Sequence, residues 1–409
     1  MRLDSRSLVI GPNSYPVPGS KEALLERLRE ALARAPRPQP ELPGMPLPGG
    51  LVGFTAYDVV RFFEKLPLRH TRRPNAPVLH YIAPESFLVF DHLTRGIALL
   101  HSGTEAERRV LREEVIAALR GRIVLPRANG SFGDPTMSLS REEYMAGVRA
   151  AQEYIAAGDV YQLVLSSKFS GQHQLDPFQV YRALRLINPS PYMYYCKLGG
   201  VTVVGSSPEA LVKLNKGVAE LRPIAGTLPR MEDPEADLAN EQRLLADPKE
   251  NAEHVMLVDL ARNDLGRVAQ AGSVHVDPYR VIERYSHVMH IVSGVKGNLR
   301  AGSDAFDLFA ATFPAGTLVG APKVRAMEII DELEPVRRGL YGGTVGYFGA
   351  HGDMDQAITI RTLVFRGDEY SYQAGAGIVA DSVPATEFDE VIAKSGAMAR
   401  ALKLASEGL

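Results

Sequence analysis

Two short stretches place carboxylates where they could do chemistry. Asp247-Pro248-Lys249-Glu250 reads as a helix start, with an N-cap aspartate, proline at the first helical position and glutamate at the third. Glu253 follows three residues later and falls on the same helical face. A second helix is expected to begin near Pro384, with Glu387, Glu390 and Lys394 sharing a face by the same spacing. Each motif also has an ordinary reading: Glu250 as half of a capping box, and Glu390 with Lys394 as an i,i+4 ion pair. If the two faces meet, four carboxylates repel one another unless a cation neutralises them. Oxygen donors without thiolates suit Mg²⁺, which keeps positions open for water and a substrate carboxylate. Spacing alone does not bring the faces together.

The elements that must position these residues are partly legible. Lys21 to Ala35 has helical spacing and runs into Pro36, Pro38, Pro40, Pro43, Pro46 and Pro48, a stiff connection. Leu51 to Glu64 follows, then strand-like runs within Ala83 to Leu100 and a charged helix over Glu105 to Leu119. A polar link around Asn129 to Asp134 sets the main boundary, dividing residues 1–134 from 135–409. Ser140 with Glu143 forms a capping box, and Tyr144, Val148, Ala151 and Ile155 recur at helical spacing until Gly158. Strand-like runs follow at Val160 to Lys168, Val201 to Val204, Thr344 to Phe348 and Ala357 to Phe365, alternating with helices. Gly342, Gly343, Gly346, Gly349, Gly375 and Gly377 sit at or within strands and suggest close backbone approach to a ligand. The pattern predicts a mixed α/β fold with large sheets.

Composition removes several classes of function. The 409 residues are 45% hydrophobic and 23% charged with a formal net charge of −2, and the basic residues are scattered, so no nucleic-acid footprint is present. No apolar run is long enough for a transmembrane helix, and Met1 to Ser14 lacks the features of a signal peptide. The single cysteine, Cys196, excludes an internal disulfide and a thiolate metal site, reads as a packed thiol, and fits a reducing cytoplasm. No solenoid repeat, G-x-G-x-x-G or Walker A pattern occurs.

Several blocks together resemble the chorismate-utilising enzymes, and specifically component I of anthranilate synthases. They are Arg222-Pro-Ile-Ala-Gly-Thr-Leu-Pro-Arg230, Asp247-Pro-Lys-Glu-Asn-Ala-Glu-His254, Val258-Asp-Leu-Ala-Arg-Asn-Asp-Leu-Gly266 and Glu283-Arg-Tyr-Ser-His-Val-Met-His290. Pro314 to Lys323, Tyr341-Gly-Gly343, Ile360-Arg-Thr362 and Gln373 to Ser382 continue the series, over roughly Ser138 to Leu402 and more loosely Gly49 to Pro67. The resemblance implies two face-packed, largely antiparallel sheets with helices outside and an active-site cleft between them. It implies that both glutamate helices line that cleft, with Glu253 and Glu390 matching Mg²⁺ ligands and Glu250 and Glu387 acting directly or through water. Glu209 resembles the general acid for the C4 hydroxyl of chorismate, though it also reads as a turn carboxylate. His290 matches the active-site histidine near the ring, whereas His287, in the same helix-like stretch, reads as structural. Arg361 and Tyr341 match residues holding the enolpyruvyl carboxylate, a contact suited to a planar guanidinium. Gly377 would offer its N–H there, and Lys394 would add charge near the metal. Gly226, Thr227, Gly316 and Thr317 resemble loop positions around the ring, the glycines being equally suited to turning the chain.

Two positions separate the branches of the family. Isochorismate and salicylate synthases resemble one another in carrying a water-activating lysine where Gly158-Asp-Val-Tyr-Gln162 has Gln162, a neutral amide that cannot act as a base. Aminodeoxychorismate synthases usually carry a lysine where this chain has Ala225, which cannot be a nucleophile. The resemblance therefore implies ammonia addition at C2 of chorismate followed by pyruvate loss. No Gly-x-Cys-x-Gly elbow is present, so a separate glutamine amidotransferase subunit, in a hetero-oligomer, is implied as the ammonia source. The alternatives are an aminodeoxychorismate synthase subunit, a synthase that stops at the aminated diene, and a silent chorismate-binding regulator. The family's tryptophan site combines a Leu-Leu-Glu-Ser strand with an Asn-Pro-Ser-Pro-Tyr-Met stretch. Only the second occurs, as Asn188 to Met193, since Ala23-Leu-Leu-Glu-Arg27 lies in a helical pattern and the N-terminal part reads as shortened. Weak or absent tryptophan inhibition is expected.

Overall fold

In the computed structural model the chain is described at residues 1–37, 47, 49–67, 69–70, 77–122, 130–285 and 288–409. Pro38, Pro40, Pro43, Pro46, Pro48, Asn129 and His287 lie outside the described residues, and with them most of the expected proline-rich connection.

Nine α-helices form among the described residues, and those expected after Ser20, Thr104, Ser140, Asp247 and near Pro384 are among them. The nine are α1 (Lys21–Ala33), α2 (Glu105–Arg120), α3 (Arg141–Ala156), α4 (Pro177–Ile187), α5 (Pro234–Ala246), α6 (Pro248–Gly266), α7 (Ala305–Thr312), α8 (Lys323–Leu333) and α9 (Pro384–Glu407). At α3 the Ser140 hydroxyl accepts from Glu143 N–H (3.2 Å) while the Glu143 carboxylate accepts from Ser140 N–H (2.7 Å). Its buried face is Tyr144, Val148 and Ala151, and Gly158 at φ 82° turns the chain after it. Tyr144 meets Phe388 of α9 edge-on at 5.9 Å, joining the outer helices over the sheet.

Two large sheets dominate. In the eleven-stranded sheet, Met354–Ile358 pairs with Ala210–Asn215 on one side and Thr344–Gly349 on the other, which in turn pairs with Gly50–Thr55. The seven-stranded sheet runs Tyr192–Leu198, Val201–Ser207, Thr362–Arg366, Glu369–Ile378, Gln162–Gln172 and Gly320–Ala321, with Thr136–Met137 beside Gln162–Gln172. All these pairings are antiparallel. The sheets meet face to face: Phe54 and Val345 of the first share a buried cluster with Val201 and Val203 of the second. The Tyr192 hydroxyl also donates across the gap to Asp355 Oδ1 (3.0 Å). Strands Arg2–Leu3, Gly50–Thr55 and Leu79–Ile82 belong to the same sheet as Thr344–Gly349, so residues on both sides of position 134 share one sheet.

Two expectations change. The run Ala357 to Phe365 is not one strand. It divides into Met354–Ile358 and Thr362–Arg366, which lie in different sheets, and Arg361 between them adopts φ 49°. A string of β-formers hides such a break because its cause is a change of sheet, not a turn residue. The stretch read as helix-like near His290 is instead two strands, Val281–Arg284 and Val288–Val292, which join Ile224–Pro229 in a three-stranded sheet. Val281, Ile282, Val288, Ile291 and Val292 are β-branched and favour that pleated surface.

Candidate active site

Glu209 lies where the chain passes from Val201–Ser207 in the smaller large sheet to Ala210–Asn215 in the larger. Arg361 lies at the return crossing, and the two are tied through their backbones. Ser206 N–H donates to Arg361 C=O (3.1 Å), and Ile358 N–H donates to Glu209 C=O (3.0 Å). Both residues sit in the short connections between strands of the two sheets. Burial pushes the Glu209 carboxyl up to about 7, against the opposing donation from Thr317 Oγ1 to its Oε1 at 3.1 Å. Burial also lowers the Arg361 guanidinium, and no carboxylate among the described residues pairs with it.

A β-bulge builds the next part. In Ile224–Pro229 the register with Val288–Val292 shifts between Ala225 and Leu228, so Gly226 and Thr227 stand together opposite His290. Gly226 takes φ 66°, which an L side chain adopts only with strain. Its carbonyl lies 2.8 Å from His290 Nδ1. A carbonyl only accepts, so Nδ1 carries the hydrogen and Nε2 keeps its lone pair in the neutral ring. Burial lowers the His290 pKa and the Arg361 charge adds to that, while the Gly226 bond and Glu283 oppose them. Thr227 Oγ1 sits 3.1 Å from the same Nδ1. Its place is beside the histidine.

The first of the carboxylate helices, α6, packs against this bulge. Asp247 caps α6 by accepting from Lys249 and Glu250 N–H (2.9 and 3.1 Å), while its own N–H donates to Arg243 C=O. Glu250 is therefore not needed as a capping-box partner. A Cβ on Gly226 would stand 3.0 Å from Glu250 Oε2, so the bulge lies directly against that carboxylate. Burial raises the Glu250 pKa, with further contributions from Glu253 and Asp247 and from Glu390 on α9. Burial raises Glu387 as well, where Glu390 adds and Lys249 opposes. The two acidic faces are thus near enough for the charge on one to be felt at the other. Lys394 Nζ pairs with Glu390 Oε1 at 2.5 Å and donates to Gly375 C=O at 3.3 Å. Among the described residues, no three acidic, histidine or cysteine side chains already converge as a formed metal centre. The oxygen-only donor set and its mutual repulsion nevertheless fit a hard divalent cation.

Gln162 opens the strand Gln162–Gln172, and its Nε2 points toward Glu253 Oε1 at 3.4 Å. A Cβ on Gly377 would fall 2.5 Å from that Nε2, so the glycine makes room for the amide. Several of the glycines read as ligand approaches also make close contacts within the chain. Cβ atoms at Gly343 and Gly346 would strike backbone carbonyls at 2.2 and 2.1 Å, and one at Gly316 would strike Leu260 Cδ2 at 1.9 Å. Tyr341 Oη lies 2.9 Å from the Cβ position of Gly375, and burial raises its pKa.

The residues that hold Tyr341 are absent from the motif reading. Arg338 donates to Glu334 through Nε and Nη2 (2.9 and 2.7 Å), and to Leu318 and Val164 C=O. Glu334 Oε1 also accepts from Ser166 N–H and Oγ (2.9 and 2.5 Å). This buried, fully hydrogen-bonded pair sets its guanidinium 5.4 Å from the Tyr341 ring, and Arg338 C=O accepts from Tyr341 N–H. The i,i+4 spacing of Glu334 and Arg338 was the available signal. Two of the sequence blocks also meet, as the Asp264–Lys323 ion pair at 2.7 Å.

Two large antiparallel sheets thus bring together a buried carboxyl at Glu209, a neutral His290, an Arg361 that no carboxylate among the described residues pairs with, and two acidic helix faces. The model of the chorismate binding enzyme family matches residues 6–400, and the chain belongs to that family. It is 48% identical over 388 residues to anthranilate synthase component 1 of Pseudomonas aeruginosa, covering 90% of this chain and 78% of that one. It is 47% identical over 392 residues to the protein of the same name from Thermus thermophilus, covering 95% and 83%. The crystal structure of anthranilate synthase component I from Streptococcus pneumoniae superposes with a TM-score of 0.82 at 37% identity, over 91% of this chain and 85% of that one. The menaquinone-specific isochorismate synthase of Escherichia coli shares the fold, with a TM-score of 0.69 at 21% identity over 94% and 83%.

Proposed function

We propose that this chain aminates chorismate at C2 and eliminates pyruvate to give anthranilate, the activity for which its relatives are named. The observation that carries this reading is Gln162, a neutral amide beside Glu253 at the edge of the carboxylate cluster. An amide cannot deprotonate water, so ammonia, already nucleophilic, is the reagent this site can use. Ala225 is buried in its strand and offers no nucleophile, which disfavours covalent attack leading to amination at C4.

Glu250, Glu253, Glu387 and Glu390 would hold Mg²⁺, which when bound neutralises their charge and orients the ring carboxylate of chorismate. The Arg361 fork, which no carboxylate among the described residues pairs with, and the Tyr341 hydroxyl are suited to the enolpyruvyl carboxylate. Thr317 holds Glu209 in place through its hydroxyl. As the C2–N bond forms and the C4–O bond breaks, Glu209 supplies the proton with which the hydroxyl leaves as water. His290, its Nδ1–H committed to Gly226, presents Nε2 to accept a proton near the ring. Loss of the C2 proton and cleavage of the C3–O ether then release pyruvate and restore aromaticity.

The relatives' designation as component 1 points to a second component, which we assign as a glutamine amidotransferase delivering ammonia. Burial pushes the Cys196 thiol up to about 11, so this chain's lone cysteine is unsuited to glutaminase chemistry. The purified chain with chorismate and Mg²⁺ should form fluorescent anthranilate when ammonium salt is supplied, and none without a nitrogen source. Turnover of chorismate without ammonia would refute the reading.

A further inference from the structure

The polar residues beneath the carboxylate helix form a connected clamp that the reaction does not use directly. His254 on α6 is fully buried, and its Nε2 lies 2.6 Å from Ser293 Oγ, just past the strand that carries His290. The same Oγ accepts from Arg280 N–H at 2.9 Å. Arg280 is a non-glycine residue at φ 54°, an uncommon conformation that persists only where its surroundings hold it. Its Nη2 donates to Leu245 C=O at the end of α5 (3.0 Å) and to Asn251 Oδ1 in the first turn of α6 (2.5 Å). Asn251 Nδ2 donates to the same Leu245 carbonyl at 2.8 Å. Four side chains thus fasten the α5–α6 corner and the first turns of α6 to the His290 strand.

The clamp brackets the acidic residues. Asn251 and His254 flank Glu253, and His254 stands one helical turn beyond Glu250, so all four share the segment that the clamp fixes. Glu250 is also held against the bulge that fixes His290, through Gly226. Sliding or rolling of α6 would alter the spacing between the carboxylates and His290. A free helix start would carry several carboxylates that repel one another, and such a start tends to move apart. We infer that the Arg280–Ser293–His254 clamp is a positioning device that holds Glu250 and Glu253 at the spacing a divalent cation requires. This rests on the metal role assigned above. Groups that orient metal ligands without touching the ion commonly set metal affinity by tenfold or more.

The test is direct titration of Mn²⁺, as a paramagnetic substitute for Mg²⁺, into the purified full chain, with the metal-free melting temperature measured in parallel. Ser293→Ala should weaken Mn²⁺ binding about tenfold, whereas Ser293→Thr, which keeps the hydroxyl, should restore most of it. Arg280→Lys, which keeps the charge but lacks the Nη2 that donates to both Leu245 and Asn251, should weaken binding in the same direction. It decides the matter should Ser293→Ala fail to fold. Folded Ser293→Ala or Arg280→Lys protein that binds Mn²⁺ as tightly as wild type would overturn the clamp. So would equal weakening by Ser293→Ala and Ser293→Thr. Wild-type protein that binds no Mn²⁺ would overturn the metal reading itself, a separate result.

Discussion

Glu209 and Arg361 stand at adjacent crossings between the two large sheets, joined by the hydrogen bonds Ser206 N–H to Arg361 C=O and Ile358 N–H to Glu209 C=O. These bonds hold the two crossings side by side. The proton donor and the carboxylate-binding cation proposed for this site are thereby held through backbone hydrogen bonds. The left-handed conformation of Arg361 is part of that arrangement.

The Glu209 carboxyl sets a pH dependence. It acts as an acid only while protonated, and burial places its pKa at about 7. At constant free ammonia, kcat/KM for chorismate should therefore fall as pH rises through about 7, and Glu209→Gln should lower activity at every pH. The shift also links to stability. The folded chain holds this proton more tightly than the unfolded one, so the stability contribution is full at acidic pH. It is lost between the ordinary carboxylate range and about 7, on the order of 3 kcal/mol. Glu209→Gln should flatten that slope in denaturant titrations across the same pH range. An unchanged slope would place the titrating group elsewhere.

Removing charge from the acidic cluster should cost metal before it costs the fold. Glu253→Gln and Glu390→Gln keep shape but lose the negative charge a hard cation needs. At limiting Mg²⁺ each should reduce turnover at least about tenfold, with partial recovery at high Mg²⁺. Because Glu250 is raised partly by Glu253 and Glu390, the metal-free variants should melt at or above the wild-type temperature. Near-normal activity of Glu390→Gln at limiting Mg²⁺ would remove α9 from the site.

Much of this was legible in the sequence, and the reasons for the rest are specific. Ser140 with Glu143, and Asp247 with Pro248, mark helix starts because capping is local chemistry. Spacing put Glu250 with Glu253 and Glu387 with Glu390 on shared faces, but the meeting of α6 and α9 depends on contacts far apart in the chain. The resemblance implied their approach, and it singled out Glu209, His290 and Arg361. The split at Arg361 and the three-stranded sheet around His290 stayed hidden because β-propensity does not say which sheet a strand joins. The Glu334–Arg338 pair and the Arg280 clamp were missed because their hydrogen bonds run to residues that no motif connects.

Gly226 offers a test of the bulge. Alanine there incurs a left-handed backbone cost of about 1–2 kcal/mol. Its methyl would also stand 2.8 Å from Leu244 Cδ1 and 3.0 Å from Glu250 Oε2. Gly226→Ala should lower the melting temperature modestly and reduce kcat far more than that loss explains, because Glu250 and His290 are displaced together. Wild-type kcat in the folded variant would show that the bulge is a scaffold only.

Replacing Gln162 with lysine should divert part of the chorismate to isochorismate, provided the amine is desolvated enough to be neutral near pH 7. Chromatography of the ammonia-free reaction reads this directly. Isochorismate from the wild type under those conditions would remove the argument from the neutral amide.

Tryptophan should inhibit weakly or not at all. Leu24 and Leu25 of the Ala23–Arg27 segment are buried within α1, so this Leu-Leu pair is helical and not the strand that the tryptophan site calls for. The Asn188–Met193 stretch leads into tyrosines already engaged between the sheets. Tyr192 donates to Asp355 (3.0 Å), and Tyr194 packs its ring over Gly205 with its hydroxyl 2.6 Å from Thr362 Oγ1. Each missing charge-assisted hydrogen bond costs roughly 1.5–3 kcal/mol, or about tenfold or more in affinity. Inhibition at micromolar tryptophan in the steady-state assay would show a complete site.

The central claim is tested most directly by following ¹⁵N-ammonium and chorismate through the Mg²⁺-supplemented chain by NMR, with pyruvate measured in parallel. The account predicts ¹⁵N on the ring carbon adjacent to the one bearing the carboxylate, with one pyruvate released per nitrogen incorporated. Nitrogen para to the carboxylate, an aminated diene with no pyruvate, or no incorporation would contradict it.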